Sequence, residues 1–143
     1  LDSKNALSYS LMKSTGRVAK RMTYSQYDLD DFDVLATVFM NSETLLGISI
    51  LPIIELAKRG RVGNPNRATG TVTLYPPWSV PQTALAEETK AWQQQYFVDC
   101  SKGPLSEAER QRLRALVLAC GRDWREQTRL TMDMLCNFED TDV

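Results

Sequence analysis

The chain contains no histidine. Histidine is the commonest general base and the commonest metal ligand, so its absence removes every Ser-His or Cys-His catalytic pair. Any catalysis by this chain has to use carboxylates, lysine, tyrosine, or a metal ion held by oxygen ligands.

Cysteine is scarce, and its spacing excludes the usual zinc motifs. Cys100, Cys120 and Cys136 are widely separated, and no CxxC pair occurs. A structural zinc site is therefore not expected. An odd number of dispersed thiols is typical of a protein kept in a reducing compartment. We expect a cytoplasmic protein, or a nuclear one if the source is eukaryotic.

Long hydrophobic runs are also missing. The best one, Leu45–Ile54, is about ten residues long and contains Pro52, whereas a membrane span needs about 20. No membrane partner is expected, and no signal peptide opens the chain. Because the first residue is Leu1 and not methionine, we expect a fragment, a processed product or a domain of a longer protein. Parts of a site would then lie upstream.

The remaining composition is that of an ordinary globular domain. The 143 residues are 43% hydrophobic and 24% charged, which suits one domain with a sizeable core. The formal net charge is −1, so no overall field attracts the chain to nucleic acid. Such attraction has to come from local basic patches.

Hydrophobic patterning in the first half predicts a small sheet. The apolar, β-branched run Asp31–Phe39 predicts a central strand at about 32–39, buried on both faces. A second strand at 44–51 follows after a tight connection, which favours an antiparallel hairpin. Pro52 is expected to open a helix. Further strands are predicted at 6–13 and 71–75.

The segment between the first of these strands and the central strand is expected to be irregular. Gly16 with two hydroxyl residues predicts a turn at Lys13–Arg17. Tyr24–Tyr27 is expected to be a helical turn or a loop.

The second half of the sequence has helical patterns. Thr83–Phe97 begins with a plausible cap, Ser106–Glu109 has the spacing of a capping box, and Trp124–Cys136 continues the helical periodicity. We therefore predict an α+β fold: a small mixed sheet with a central buried strand, and a C-terminal helical segment. Residues 1–82 form the sheet-containing part, and residues 83–143 the helical part of the same domain.

Basic side chains fall into two groups outside the helical part. Both groups could contact the phosphates of a nucleic acid, most plausibly DNA, and the second lies beside a loop rich in glycine and asparagine. The alternative for each group is a solvated surface. The first group is Arg17, Lys20 and Arg21, and the second is Lys58, Arg59, Arg61 and Arg67.

The order of elements resembles one known family. Three segments, in this order, are similar to nucleases with the PD-(D/E)XK restriction-endonuclease-like fold. They are Lys13-Ser14-Thr15-Gly16-Arg17, then Phe32-Asp33-Val34-Leu35-Ala36, then a hairpin strand and short helix from Gly47 to Leu56. The resemblance covers about residues 7–60. It implies that Lys13 and Asp33 are catalytic and that Mg²⁺, held by carboxylates, is the cofactor for phosphodiester cleavage.

The sequence departs from that family at the metal-binding position. The residue two before Lys13 is Leu11, where the family has an acid. Three explanations remain open: the domain is degenerate, the site is completed upstream of Leu1, or the alignment of this sequence with the family motif is shifted. The metal ligands are therefore not assigned. For Lys13 the alternative is a surface lysine, and for Asp33 a structural role at the entry of a strand.

Two functions are therefore expected, in order. The first is nucleic-acid binding by a restriction-endonuclease-like domain, either part of a Mg²⁺-dependent DNA nuclease or a degraded relative. The alternative is a non-enzymatic assembly or adaptor subunit whose C-terminal helices dock on a protein partner. Trp92 and Tyr96 lie four apart on one helix face, which favours packing against a core or partner helix over base stacking.

Overall fold

The computed structural model describes residues 6–67 and 70–119 and confirms the α+β class. The strands are Leu7–Ser10 (β1), Met12–Val18 (β2), Arg21–Gln26 (β3), Val34–Asn41 (β4), Thr44–Pro52 (β5), Thr71–Leu74 (β6) and Phe97–Asp99 (β7), and the helices are Ile53–Lys58 (α1), Ala84–Gln93 (α2) and Glu107–Leu118 (α3). The strands form small antiparallel sheets with the orders β1-β6, β2-β3 and β4-β5-β7. A 3₁₀ turn, Gln94–Tyr96, precedes β7.

The predicted hairpin is confirmed, but the central buried strand is its second strand. β5 lies between β4 and β7, and its C-terminal residues are buried. The prediction that 32–39 is buried on both faces is wrong, because β4 is the outer strand of its sheet and Val38 is 55% exposed. A continuous apolar run does not by itself distinguish a central strand from an outer strand with one apolar face open to water.

The core lies where β5 runs directly into α1. Leu51 and Leu56 are almost fully buried there, each contributing about 1.5–3 kcal/mol. Three aromatic rings pack beside them, with ring centroids 5.5–6.0 Å apart in edge-to-face or tilted contacts. The rings belong to Phe39, Trp78 and Phe97.

The predicted helix starts are confirmed. α1 begins directly after Pro52, and the Thr83 side chain caps α2. Ser106 and Glu109 form a complete capping box at α3. α2 ends earlier than predicted, because Phe97 leaves the helix to pair with β5 in the sheet.

Two local predictions near the N-terminus are wrong. The expected turn at Lys13–Arg17 lies inside β2, and Tyr24–Tyr27, expected as a helical turn or loop, begins inside β3. The true turn is Ala19-Lys20, where both residues adopt a positive φ (48° and 68°). Sequence patterns did not show this turn because neither residue is a glycine or asparagine, the usual choices for such a conformation.

Several predictions fall outside the described residues. These are the helical pattern Trp124–Cys136 and the thiols of Cys120 and Cys136. Cys100 is a buried free thiol, and burial, together with the charges of Asp99 and Glu109, raises its pKa. None of the described helices is both long and apolar enough to cross a membrane.

Candidate nucleic-acid interface

The β2–β3 hairpin, Met12–Gln26, forms a two-stranded ribbon that we call the basic arm. Its strands pair with each other in a sheet of their own. Every residue from Ser14 to Met22 is exposed. Because successive side chains in a strand point to opposite faces, this pattern means that both faces of the distal part meet solvent.

Gln26 fixes the base of the arm to the rest of the domain. Its side chain is fully buried, its Nε2 donates to the carbonyl oxygen of Gly60 (2.7 Å), and its Oε1 accepts from the backbone N–H of Asn64 (3.2 Å). The arm thereby lies beside the loop after α1, which carries part of the second basic group. A two-stranded ribbon alone is marginally stable in water, so the arm needs such an anchor.

We expect Gln26→Leu to lower the free energy of unfolding by about 1–2 kcal/mol, because two backbone groups lose their partners. Water can form some of the hydrogen bonds that the substitution removes, because Asn64 is exposed and Gly60 is half-buried. Urea denaturation measures the change. Gln111→Leu, on the exposed side of α3, is the matched control, and an equal loss there would contradict the anchoring role.

Lys13 is a second anchor at the base of the arm. Its Nζ donates to Asp28 Oδ2 (2.6 Å) and Asp31 Oδ2 (2.8 Å). The hydrogen bonds to these two carboxylates raise the pKa of Lys13, and the hydrogen bond from Lys13 lowers the pKa of Asp31. Asp33 lies at the entry of β4, where its carbonyl oxygen accepts from the N–H of Ile53 (3.0 Å). The carboxylates that hold Lys13 are thus Asp28 and Asp31.

The distal part of the arm carries a cluster of positive charges. Arg17, Lys20 and Arg21 form no ion pair with any described residue. The sequence from Met12 to Gln26 also contains no acid. The structure therefore brings the first basic group together at the tip of a projecting ribbon.

The four cations of the second basic group differ in their contacts: two pair with an acidic side chain, and two lie in or near the loop after α1. Glu55 holds Lys58 (3.5 Å) and Arg59 (2.6 Å), and the Arg59 guanidinium lies 3.5 Å from the centre of the Trp92 ring. Arg61 lines a groove of about 230 Å³ between α1, β6 and α2. Arg67 is exposed in the loop that follows α1.

Glu55 is the buried acid that sequence reasoning missed. Burial alone would raise its pKa, but hydrogen bonds from Arg59 and Tyr96 and the charges of Lys58 and Arg59 lower it below its ordinary value. The Glu55 side chain is 11% exposed. An acid among apolar residues at the start of α1, followed by two cations, was the available signal.

The magnesium ion that the resemblance implied stays a prediction, because one or two carboxylates with water can hold Mg²⁺. Within 6–67 and 70–119, no three acidic or cysteine side chains come together closely enough to hold a metal ion. Two carboxylates that do lie near each other, Asp28 and Asp31, share the Lys13 ammonium.

The fold and this site define an α+β domain with a projecting, positively charged β-ribbon. A family model described as MepB-like matches residues 15–99, from within the basic arm to the end of β7. The match spans more than half of the chain, so the chain belongs to the MepB-like family. Neither the curated proteins nor the solved structures include a match.

This family assignment overturns the resemblance to PD-(D/E)XK nucleases. The matching family is not described as a nuclease, and no nuclease family matches. The resemblance depended on Lys13–Arg17 as a turn and on Phe32–Ala36 as a buried strand. The first segment is a strand, and the second leads into an outer strand of its sheet, so neither has the structure that the resemblance required.

Proposed function

We propose that this protein binds nucleic acid through the basic arm. The observation that carries the proposal is the cluster of Arg17, Lys20 and Arg21 at the exposed end of a ribbon without acidic residues. Cations that lack an ionic partner in the described structure can neutralise phosphates without first breaking an ion pair. Each phosphate contact releases counterions, so even three contacts contribute to affinity at moderate salt.

The shape of the arm supports the same function. A two-stranded β-ribbon is narrow enough to enter the DNA major groove, which is about 12 Å wide. The same ribbon can also lie along the backbone of a single strand. The proposal concerns binding, which the exposed cations of the arm explain on their own.

We expect the triple variant Arg17→Gln, Lys20→Gln, Arg21→Gln to bind labelled DNA more weakly and with less dependence on salt. For three lost phosphate contacts, the slope of log affinity against log salt should become shallower by about 2–3. Fluorescence anisotropy between about 50 and 200 mM salt measures both quantities.

The matched control removes the same charge elsewhere. Lys102→Gln, Arg110→Gln, Arg114→Gln changes three exposed cations in and before α3 and should leave the slope unchanged. An equal loss of affinity in both triple variants would show that binding depends on overall charge. A salt slope in the arm variant as steep as in the wild type would refute the proposed interface. Circular dichroism confirms that each variant is folded.

One observation favours the second candidate, an assembly or adaptor subunit. No residue of α3 is buried among the described residues, although the helix carries apolar side chains such as Leu118, which is 71% exposed. Exposed apolar side chains on α3 suit contact with a helix of a protein partner. A folded chain that binds no nucleic acid at low salt would favour this candidate.

A further inference from the structure

The basic arm presents an aromatic ring on the same face as one of its cations. Met22 pairs with Arg17 across the ribbon, and Tyr24 pairs with Ser14. Cross-strand partners share a face, and so do residues two apart in one strand. The strand register therefore places Arg17, Met22 and Tyr24 on one face. Arg17 Nε also contacts Met22 Sδ directly (3.1 Å).

This surface is apolar as well as basic. Tyr24 is 57% exposed and Met22 is 41% exposed. A surface that contacted phosphates alone would gain nothing from a large exposed ring and a thioether. Exposed aromatic side chains beside cations are the usual means of holding unpaired bases, because every base offers a π-face.

We propose that the arm binds single-stranded nucleic acid, with one base stacked on the ring of Tyr24 and the adjoining phosphates on Arg17 and its neighbours at the tip. This inference rests on the proposed function and adds the class of nucleic acid. In a duplex, bases present their edges to a protein and keep their faces stacked on each other. The Tyr24 ring gains a stacking partner where a base is unpaired.

The geometry of the ribbon suits this arrangement. Met22 and Tyr24 are about 7 Å apart along β3, since each strand residue advances about 3.4 Å. Along β3, Tyr24 is therefore two residues away from the Arg17–Met22 pair. A base on the ring and the phosphate beside it can reach the two groups at once, and a guanidinium near a stacked base adds to the attraction.

The test compares three labelled probes: a 20-nucleotide oligothymidine, the same strand with all bases removed, and a 20-base-pair duplex. We expect wild-type protein to prefer oligothymidine. Tyr24→Ser should weaken its binding about tenfold and leave the abasic strand unaffected, whereas Tyr24→Phe should bind all three as the wild type does. Since Tyr24 is exposed and pairs with Ser14, neither change disturbs the core.

The outcomes separate this inference from the proposed function. No binding of any probe at low salt would overturn both. Two outcomes would overturn the single-strand inference alone, provided that the arm cations are still needed for binding. In the first, Tyr24→Ser binds every probe as the wild type does. In the second, the duplex is bound more tightly than oligothymidine. A tenfold loss confined to the probe with bases would support both.

Discussion

Glu55→Ala is expected to lower the free energy of unfolding by about 2–3 kcal/mol. The Glu55 carboxylate accepts from Arg59 (2.6 Å) and from the Tyr96 hydroxyl (3.0 Å). It therefore joins α1 to the end of α2 and the 3₁₀ turn. Breaking a fully buried ion pair costs about 3–5 kcal/mol, and we expect less here because the Arg59 side chain is 33% exposed.

Loss of the Glu55 carboxylate also affects the groove beside α2. Arg59 lies over Trp92 while bonded to Glu55, and the Trp92 ring is in edge-to-face contact with Tyr96. Without Glu55, the guanidinium loses its charged partner and the Tyr96 hydroxyl loses its acceptor. Tryptophan fluorescence of the folded variant should therefore change together with the urea midpoint.

The same carboxylate predicts a pH dependence of stability. Its folded-state pKa is lowered, so the folded state binds fewer protons than the unfolded state as the pH falls toward about 4.3, the ordinary pKa of glutamate. The stabilisation is present above that pH and decreases as the pH falls through it toward the folded-state pKa. Glu55→Gln should therefore lose less stability than wild type as the pH falls from neutral to well below about 4.3.

An exposed glutamate provides the control for both measurements. Glu107 lies at the start of α3, with its side chain 74% exposed and 3.8 Å from Arg110. Glu107→Ala should cost less than about 1 kcal/mol. If Glu55→Ala were as mild as that, or if wild type and Glu55→Gln lost stability in parallel with acid, the buried network would not be stabilising the fold.

Gly47→Ala is the second large expected effect, a loss of about 1–3 kcal/mol. A Cβ atom at Gly47 would lie 2.7 Å from Phe97 Cε1 and closer still to its Cζ. The Phe97 ring cannot move away freely, because it is 5% exposed and packs against Phe39 and Trp78. Thermal and urea denaturation measure the loss.

A double variant tests the cause of that effect. Phe97→Leu removes the ring atoms that the new methyl group would strike, and it leaves space that the methyl group can partly fill. The double variant Gly47→Ala, Phe97→Leu should therefore be destabilised by about 1 kcal/mol less than the sum of the two single changes. Simple additivity would show that the Phe97 ring is not the obstacle.

Local sequence signals predicted many of the elements near the candidate site. The capping box of Ser106 and Glu109, the cap at Thr83, the proline at the start of α1 and the hairpin at residues 34–52 all follow from residue type and spacing. These features depend on contacts within a few residues. A sequence pattern therefore contains most of the information that forms them.

The basic arm could be predicted only in part. The sequence showed that Arg17, Lys20 and Arg21 lie together, but it predicted a turn at Lys13–Arg17. In the structure, Gly16 follows a register shift between Ser14 and Gly16 in the β2–β3 ladder and is not at a chain reversal. Tyr24 was therefore not recognised as a neighbour of Arg17 on one face.

Composition and short-range spacing were enough to predict the α+β class, the absence of histidine chemistry and the two groups of basic residues. Which charged groups are available depends on the folded chain. Folding brings the Tyr96 hydroxyl to Glu55 and Lys13 to Asp28 and Asp31, and it leaves the tip of the arm in solvent. Pairing between residues distant in the chain neutralises some charges and leaves others exposed, and spacing along the sequence does not contain that information.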